Sequence, residues 1–140
     1  MPEESTTPDL VELARRSFDA VNRRDFDAMM GFLAPDAVWD MSDLGMGTFE
    51  GVPAIRGFYE DWFGSYDEFR IEAEEILDLG NGVVFAVISQ NARPVGSSGH
   101  VQFRYGSVAV SDAGLAVRTV NYFDPDEARA AAERLAQERG

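Results

Sequence analysis

The amino-acid sequence predicts an α+β domain in which N-terminal helices pack on a strongly curved, mainly antiparallel sheet and a further helix ends the chain. Three observations indicate this class. Residues 10 to 63 show mostly helical spacing of apolar side chains, residues 69 to 123 contain long stretches typical of strands, and residues 124 to 135 carry the signals of a capped helix. Because the helices precede one group of strands, we expect them to lie together on one face of the sheet, with a pocket between the two layers.

The composition bounds the partners of the protein. The chain has 140 residues, enough for one domain with a substantial core, and its formal net charge is −13. Such an acidic surface repels phosphate backbones and anionic lipids, so neither a nucleic acid nor a membrane is an expected partner. No apolar run approaches the roughly 20 residues of a membrane-spanning helix, and the acidic start MPEESTTPD differs from a signal peptide. We therefore expect a cytoplasmic protein.

The shortage of metal-binding side chains limits the chemistry. The sequence has no cysteine and a single histidine, His100. This excludes disulfides, thiolate catalysis and a multi-histidine metal site within one chain. The sequence also lacks the glycine-rich fingerprints of nucleotide and phosphate sites. We therefore expect neither a metal nor a cofactor.

The first two helices are predicted from their caps and their apolar faces. Residues 1 to 6 are expected to form a disordered tail, and residues 7 to 140 a single domain. Thr7 can cap the first helix with Pro8 at its first position, and Asp25 can cap the second helix. The apolar faces consist of Leu10, Leu13, Ala14, Phe18 and Val21 in the first helix and of Phe26, Met29, Met30 and Leu33 in the second.

A strand and a third helix follow. Pro35–Asp36 ends the helical pattern, and Val38 to Met41 is short and rich in residues that favour β-structure. The segment Ser42 to Gly47 is either a lid over the pocket or a plain connection. Pro53 suits the first turn of the third helix. The apolar stripe of that helix comprises Ile55, Phe58, Tyr59, Trp62 and Phe63.

Long strands and a final helix fill the rest of the chain. The predicted strands are Phe69 to Leu79, Val83 to Arg93, His100 to Val110 and Leu115 to Phe123. Asn81–Gly82 between two of them predicts a tight hairpin turn. Asp124 as cap, Pro125 as first residue and Glu127 three residues after the cap predict the last helix.

These elements, in this order, resemble the SnoaL-like branch of the nuclear transport factor 2 (NTF2) superfamily. The motifs that carry the resemblance are VNRRDFDAMMGFLAPDAVW (Val21 to Trp39), FEGVPAIRGFYEDWF (Phe49 to Phe63) and GLAVRTVNYFDPDEARAAAERL (Gly114 to Leu135). The resemblance implies a cone-shaped fold that holds a ligand between the helices and the concave face of the sheet. It does not specify an activity, because this fold carries isomerases, cyclases, hydrolases, dehydratases and binding modules.

The closest enzyme pattern in that superfamily is that of the ketosteroid isomerases. In that pattern an aspartate moves a proton, while a tyrosine and a protonated aspartic acid hold the oxyanion. A gap-free overlay of the motifs places Met41, Ser17 and Gly106 at these three positions, so the isomerase residues are not matched. Asp40 precedes Met41 and is expected to face the other side of the strand. A bulge that turns Asp40 inward, or the loop residue Asp43, would bring a carboxylate back to the pocket.

The same overlay predicts which side chains face the pocket. The predicted ligand pocket consists of Trp39, Met41, Phe58, Trp62, Ser89, Asn91, Gln102, Arg104, Thr119 and Asn121, accompanied by Phe85, Val87, Val108, Val117 and Phe123. Apolar walls with a few convergent polar groups are typical of small-molecule sites. We therefore expect a small apolar or carbonyl-bearing ligand.

The opposite face of the sheet is also predicted to be apolar. Its outward side chains would be Val84, Ala86, Ile88, Val101, Phe103, Tyr105, Val120 and Tyr122. A solvent-exposed apolar face of this size favours association with another protein chain. We therefore expect a homodimer with C2 symmetry through this face.

Three side chains are candidates for catalysis. Arg104 would anchor the carboxylate, enolate or carbonyl of a ligand, or pair with an internal partner such as Asp40. His100 lies near the predicted rim and is either an acid–base group or a solvated residue at the end of a strand. Asp40 is the candidate general base.

Two classes of function remain open from the sequence. The first is a cofactor-independent isomerase, cyclase or hydrolase that acts on an apolar carbonyl-containing compound, polyketide-like or steroid-like. In it Arg104 would stabilise negative charge and Asp40 or His100 would carry the proton. The second is a non-catalytic ligand-binding or dimeric interaction module. The feature that separates them is a titratable group within hydrogen-bond reach of the cavity beside Arg104.

Overall fold

A computed structural model describes residues 9 to 140, with helices on both faces of one open, curved sheet. The elements are α1 (Leu10–Asn22), α2 (Phe26–Met30), β1 (Leu33–Asp40), a 3₁₀ turn (Ser42–Leu44), β2 (Thr48–Glu50), α3 (Val52–Phe63), β3 (Tyr66–Gly80), β4 (Val83–Pro94), β5 (Val101–Asp112), β6 (Leu115–Tyr122) and α4 (Pro125–Arg139). The predicted α+β class is confirmed. The predicted tail, the Thr7 cap and Pro8 lie outside the described residues.

The strands form a single mixed sheet in the order β2-β1-β6-β5-β4-β3. β1 runs parallel to β6, and every other neighbouring pair is antiparallel. The pairing of β1 with β6 joins the start of the chain to its last strand. The two halves of the sequence therefore share one sheet, with β2 and the long strand β3 at its edges.

Two of the predicted helix caps, Asp25 and Asp124, are confirmed. Asp25 accepts a hydrogen bond from the N–H of Ala28 at 3.1 Å, and Asp124 accepts one from the N–H of Asp126 at 2.9 Å. Pro125 is the first residue of α4, as predicted. At α1 the described cap is Asp9, whose carboxylate accepts from the N–H of Glu12 at 3.1 Å.

The β3–β4 hairpin turns at Asn81–Gly82, as predicted. Both residues have positive φ, 57° and 81°, the backbone that a two-residue hairpin turn requires. Glycine is also needed here because a Cβ on Gly82 would lie 2.5 Å from the Ser111 carbonyl oxygen. The turn anchors the end of α4, since Asn81 Nδ2 donates to the Ala136 carbonyl at 2.6 Å and Arg139 Nε donates to the Asn81 carbonyl at 2.8 Å.

Asn22, the last residue of α1, covers part of the exposed edge of β3. Its Nδ2 donates to the carbonyl of Ile71 at 2.9 Å, and its Oδ1 accepts from the N–H of Ile71 at 2.8 Å. The two bonds satisfy backbone groups that would otherwise be free at a sheet edge. They also fix α1 against the concave face of the sheet.

Two hydrophobic clusters lie on opposite faces of the sheet. The concave cluster joins α1, α2 and α3 to the sheet through residues such as Trp39, Ile55, Phe63, Ile88 and Tyr105. The convex cluster packs α4 on β4 and β5, and its buried members are Val83, Phe85, Val87, Val108, Ala128, Ala132 and Ala136. α4 approaches β5 so closely that a Cβ on Gly106 would lie 2.4 Å from the Cβ of Ala128.

The predicted side-chain directions of β4 and β5 are wrong. Phe85, Val87 and Val108 were expected in the pocket but pack against α4 on the convex face. Val84, Ala86, Ile88 and Tyr105 were expected to face outward but line the space beneath the helices. The physical reason is that β4 is buried on both faces, so its apolar run contains no alternation from which the inner face could be identified.

The predicted bounds of β1 also need correction. The strand begins at Leu33, before Pro35, and its pairing with β6 shifts register between Leu33 and Val38. Leu33 therefore belongs to a strand and not to the second helix. The short strand β2 pairs with the end of β1, Trp39 opposite Phe49, and its three residues were too few to be predicted.

Candidate ligand-binding cavity

A cavity of about 180 Å³ lies between the helices and the concave face of the sheet. Most of its lining side chains are aliphatic or aromatic and come from α1, α2, α3 and all strands except β2. The lining side chains with polar atoms, apart from the two tryptophans, are Ser17, Tyr59, Tyr105, Ser107, Ser111, Thr119 and Asn121. Among the described residues, no aspartate, glutamate, histidine, lysine or arginine lines it.

Two tyrosines enter the cavity from opposite layers. Tyr59 comes from α3 and stacks on Trp39, with ring centroids 4.5 Å apart and an interplanar angle of 19°. Tyr105 comes from β5 and lies 5.5 Å from the ring of Phe103. Burial raises the pKa of both phenols, and the proximity of Tyr105 raises the pKa of Tyr59 further. Both phenols therefore stay protonated and able to donate a hydrogen bond.

The lining side chains use little of their hydrogen-bonding capacity. Among the described residues they make two hydrogen bonds, from Ser17 Oγ to the Ala14 carbonyl at 2.8 Å and from Asn121 Nδ2 to Met41 Sδ at 2.8 Å. Neither bond involves a tyrosine. Buried polar groups in proteins normally have partners, so the phenols present unused donors to whatever occupies the cavity.

Asn121 on β6 is the most deeply buried polar lining residue. Its side chain is 3% exposed, and its Oδ1 has no hydrogen-bond partner. The orientation of the amide follows from its neighbour, because the Met41 thioether can only accept and therefore attracts the amide NH₂. The carbonyl oxygen of Asn121 is thus the group left without a donor.

The predicted pocket residues divide into two groups. Trp39, Trp62, Thr119 and Asn121 line the cavity. Met41 and Phe58 form the layer behind it: Met41 is 1% exposed and bonded to Asn121, and Phe58 packs edge-on to Trp39 at 5.4 Å. Met41 directly follows β1, and the other residues come from β1, α3 and β6.

The other predicted pocket residues lie on the wrong face. Ser89, Asn91, Gln102 and Arg104 line a shallow groove on the convex side, beside Glu72 and others. Cross-strand pairing brings them together, Ser89 opposite Arg104 and Asn91 opposite Gln102. They share no space with the cavity, because side chains of opposite parity in a strand leave the sheet on opposite faces.

Arg104 does not point into the cavity. Its Nε donates to Glu74 Oε1 at 2.8 Å, and the two side chains are 58% and 40% exposed. The prediction of a guanidinium inside the cone is therefore wrong. The alternative of a partner within the chain is closer to the structure, although that partner is Glu74 and not Asp40.

Asp40 faces the convex side of β1 and organises the loop that follows. It accepts hydrogen bonds from the N–H of Ser42 at 3.0 Å and from Thr48 Oγ1 at 3.2 Å, and it lies 3.4 Å from Arg118. The Ser42 hydroxyl also donates to it and is the main reason why the pKa of Asp40 lies below the usual 3.8. Asp43 bonds instead to the N–H of Phe123 at 2.8 Å. Neither carboxylate lines the cavity.

Replacing Asp40 by alanine is expected to loosen the loop and to leave ligand binding intact. The cost should be about 1–2 kcal/mol, as for other carboxylates that cap backbone N–H groups. Because the folded-state pKa is lowered, the stabilisation is present above pH 4 and declines as the pH falls through the folded pKa. Urea unfolding of both proteins between pH 7 and 2.5 tests this: the gap should close in acid. The exposed Asp36→Ala serves as control, and a gap independent of pH would contradict the assignment.

His100 lies at the far end of the sheet. Its Nε2 is 3.1 Å from Glu68 Oε1, and Arg93 approaches the other oxygen of Glu68 at 3.4 Å. The hydrogen bond to His100 and the charge of Arg93 lower the pKa of Glu68. The three candidate catalytic residues Asp40, His100 and Arg104 are therefore at separate places, and none lines the cavity.

The overlay on the isomerase pattern is correct in part. Ser17 lines the cavity, and Met41 is buried beside Asn121. Gly106, however, faces α4, and its neighbours Tyr105 and Ser107 are the residues of β5 that line the cavity. A shift of one residue along β5 would have found Tyr105.

The described part of the chain contains neither a metal-binding cluster nor a membrane-spanning helix. None of its groups of histidine, aspartate and glutamate has the arrangement of a metal site. None of its helices has the length and apolar character needed to cross a bilayer.

Comparison with known proteins relates the chain to one family and to several solved structures. A family model described as a SnoaL-like domain matches residues 14–119. An NTF2-like protein of unknown function from Burkholderia pseudomallei is 24% identical with a TM-score of 0.73, over 86% of this chain and 95% of that one. No curated protein sequence gives a significant match.

Two further solved structures share the fold at lower identity. TerC, co-crystallised with polyporic acid, is 18% identical with a TM-score of 0.73, over 89% of this chain and 98% of that one. An epoxide hydrolase of the LEH-like type from M. tuberculosis is 18% identical with a TM-score of 0.70, over 89% of this chain and 90% of that one. At identities this low, the TM-scores establish a common fold and not a common activity, because one fold carries many activities.

Proposed function

The chain belongs to the SnoaL-like family, and we propose that its cavity binds a small, neutral, mostly apolar molecule with an acceptor oxygen that meets Tyr59 and Tyr105. One observation carries the proposal: two protonated phenols, Tyr105 buried and Tyr59 partly buried, have no partners among the described residues and line a cavity that is otherwise mainly apolar. Apolar walls provide affinity, and a few donors fix the orientation of a ligand. A carbonyl, as in a ketone or quinone, satisfies such donors.

The volume of the cavity limits the size of the ligand. An engineered apolar cavity of about 150 Å³ holds benzene, and this cavity has about 180 Å³. A ligand of one ring or a fused pair fits that space. A tetracyclic ligand of steroid size requires the helices to move apart.

Binding accounts for the site better than proton-transfer catalysis. A general base must lie within hydrogen-bond reach of the proton that it removes. The described lining contains no carboxylate and no imidazole, and the candidates Asp40, His100 and Arg104 are engaged elsewhere. The co-crystallisation of TerC with polyporic acid supports small-molecule binding by this fold, and through it by this chain.

Removing the phenols is expected to weaken the binding of a ketone. Acetophenone, with one ring and one carbonyl, is a suitable probe. The affinity should fall by about threefold to tenfold in Tyr59→Phe or Tyr105→Phe, and further in the double variant, because each lost hydrogen bond contributes about 1 kcal/mol. Trp39 and Trp62, the only tryptophans of the chain, both line the cavity. Quenching of their fluorescence therefore reports binding, and calorimetry gives the affinity independently.

Two controls separate the phenols from general effects. Ethylbenzene has a similar shape and no acceptor, so its affinity should be equal in the wild type and the double variant. Tyr122→Phe removes a hydroxyl from the convex cluster and should change neither affinity. Equal binding of acetophenone by the wild type and the double variant would refute the role of the phenols. Failure of every one-ring and two-ring compound to bind would refute the proposed function.

A further inference from the structure

Asn121 is the most deeply buried of the polar lining residues that the proposed ketone site does not use. Its side chain is 3% exposed and lines the cavity, and its Oδ1 is without a partner. The other end of the same amide is fixed, because Nδ2 donates to Met41 Sδ at 2.8 Å. Met41 is itself 1% exposed, so the amide is fixed at its nitrogen, and its oxygen is a buried acceptor without a donor.

An unsatisfied buried acceptor is costly, and proteins seldom keep one without a reason. The unused hydrogen-bonding group of Asn121 is an acceptor, whereas the unused groups of the tyrosines are donors. The phenols of Tyr59 and Tyr105 have donors to offer, whereas Asn121 Oδ1 requires one. A ligand that satisfied both would carry an acceptor and, separately, a hydroxyl or an N–H group.

We infer that Asn121 is a specificity-determining residue that selects ligands with a hydrogen-bond donor, so that the ligand class is a hydroxylated or N–H-bearing ring compound. The inference rests on the proposed binding function and adds a second recognition point to it. Sites that place a buried polar group against a substrate OH or NH discriminate strongly against analogues without it, since those analogues leave the protein group unpaired. The phenols donate hydrogen bonds to the acceptor group of the ligand, and Asn121 accepts one from its donor group.

Two matched pairs of probes test the inference. Indole and indene have nearly the same shape, but only indole can donate an N–H bond, and variants of Asn121 and Tyr59 show which residue accepts it. The second pair, 4-hydroxyacetophenone and 4-methylacetophenone, keeps the ketone and exchanges a hydroxyl for a methyl group. Calorimetry on the wild type should show the donor-bearing member of each pair binding at least about tenfold more tightly.

The variant Asn121→Leu keeps a similar volume and removes the acceptor. It should lower the preference in both pairs to about twofold or less and should still bind indene and 4-methylacetophenone. Asn91→Leu makes the same exchange on the convex face, where Asn91 is exposed, and should keep the wild-type preference. Conversely, Tyr59→Phe should weaken both acetophenones and leave indole unchanged.

The outcomes distinguish the inference from the function on which it rests. If the wild type binds both members of each pair equally, or if Asn121→Leu keeps the full preference, Asn121 does not select donors, and the binding function stands. If none of the four compounds binds the wild type, both proposals fail. The preference of the wild type is measured without a variant, so equal binding of both members of each pair refutes the inference even if Asn121→Leu folds poorly.

Discussion

Gly106→Asp is expected to prevent stable folding of the chain. A Cβ at this position would lie 2.4 Å from the Cβ of Ala128 and 3.0 Å from the Cα of Pro125, at the place where α4 packs on β5. The carboxylate would then enter an apolar cluster without a partner. Overpacking costs about 1–3 kcal/mol and an unpaired buried charge costs more, which together approach the total stability of a typical domain.

Circular dichroism and urea unfolding of the purified variant measure this effect. Gly106→Ala tests the steric part alone and should cost about 1–3 kcal/mol. Gly57→Ala is the matched control, because Gly57 lies within α3 with no atom within 4 Å of its virtual Cβ. That change should stabilise the protein by up to about 1 kcal/mol, as expected for alanine in place of glycine in a helix. Wild-type unfolding of Gly106→Asp would mean that α4 does not rest on β5.

The same variant is informative about the isomerase pattern. The overlay places the protonated acid of that pattern at Gly106, so an aspartate there would supply one residue of the pattern. The structure predicts loss of the fold instead, because this residue faces α4 and not the cavity. On β5 the residues that meet the cavity are Tyr105 and Ser107.

Local signals in the sequence predict most of the elements of this fold. Asp25, Asp124 and Pro125 begin helices where capping chemistry indicates, and Asn81–Gly82 makes the predicted turn. Each of these signals depends on a few neighbouring residues. The sheet order depends on contacts between distant segments, and no local signal predicts the parallel placement of β1 beside β6.

Local signals in the sequence could not predict which side chains of β4 and β5 face the cavity. In β4 the run from Val83 to Ile88 is buried throughout, because α1, α2 and α3 cover the concave face and α4 covers the convex face. Such a run gives no alternation, and an error of one residue moves every side chain to the other face. The error placed Arg104, Ser89, Asn91 and Gln102 in the cavity and removed Tyr105 from it. The prediction succeeded for Trp39, Thr119 and Asn121, on β1 and β6.

The homodimer stays a prediction, but the apolar face on which it was based is largely not exposed. Val84, Ala86, Ile88 and Tyr105 were part of the apolar face assumed to be wet, but they line the cavity. Much of the true convex face is covered by α4 or carries polar side chains such as Arg104. An apolar face that the chain covers itself does not require a second copy.

Ala86→Leu is expected to abolish ligand binding without harming the fold. Ala86 lies on the concave face of β4, is 3% exposed and lines the cavity. Three additional carbon atoms there would occupy a large part of about 180 Å³. The affinity for acetophenone should fall by at least about a hundredfold, equivalent to about 2.8 kcal/mol. Filling the void should keep or raise the free energy of unfolding, by about 0.5–2 kcal/mol.

The matched control is Ala132→Leu, the same exchange on α4. Ala132 is fully buried in the convex cluster, where the helix already lies close to the sheet, so the larger side chain should cost about 1–3 kcal/mol. It should not change acetophenone affinity at temperatures at which the variant is folded. Calorimetry and urea unfolding of both variants therefore give opposite patterns, one losing binding and the other losing stability. Wild-type binding by Ala86→Leu would place the ligand outside this cavity and direct the search to the convex groove around Arg104, because filled space in a close-packed interior does not admit a ligand.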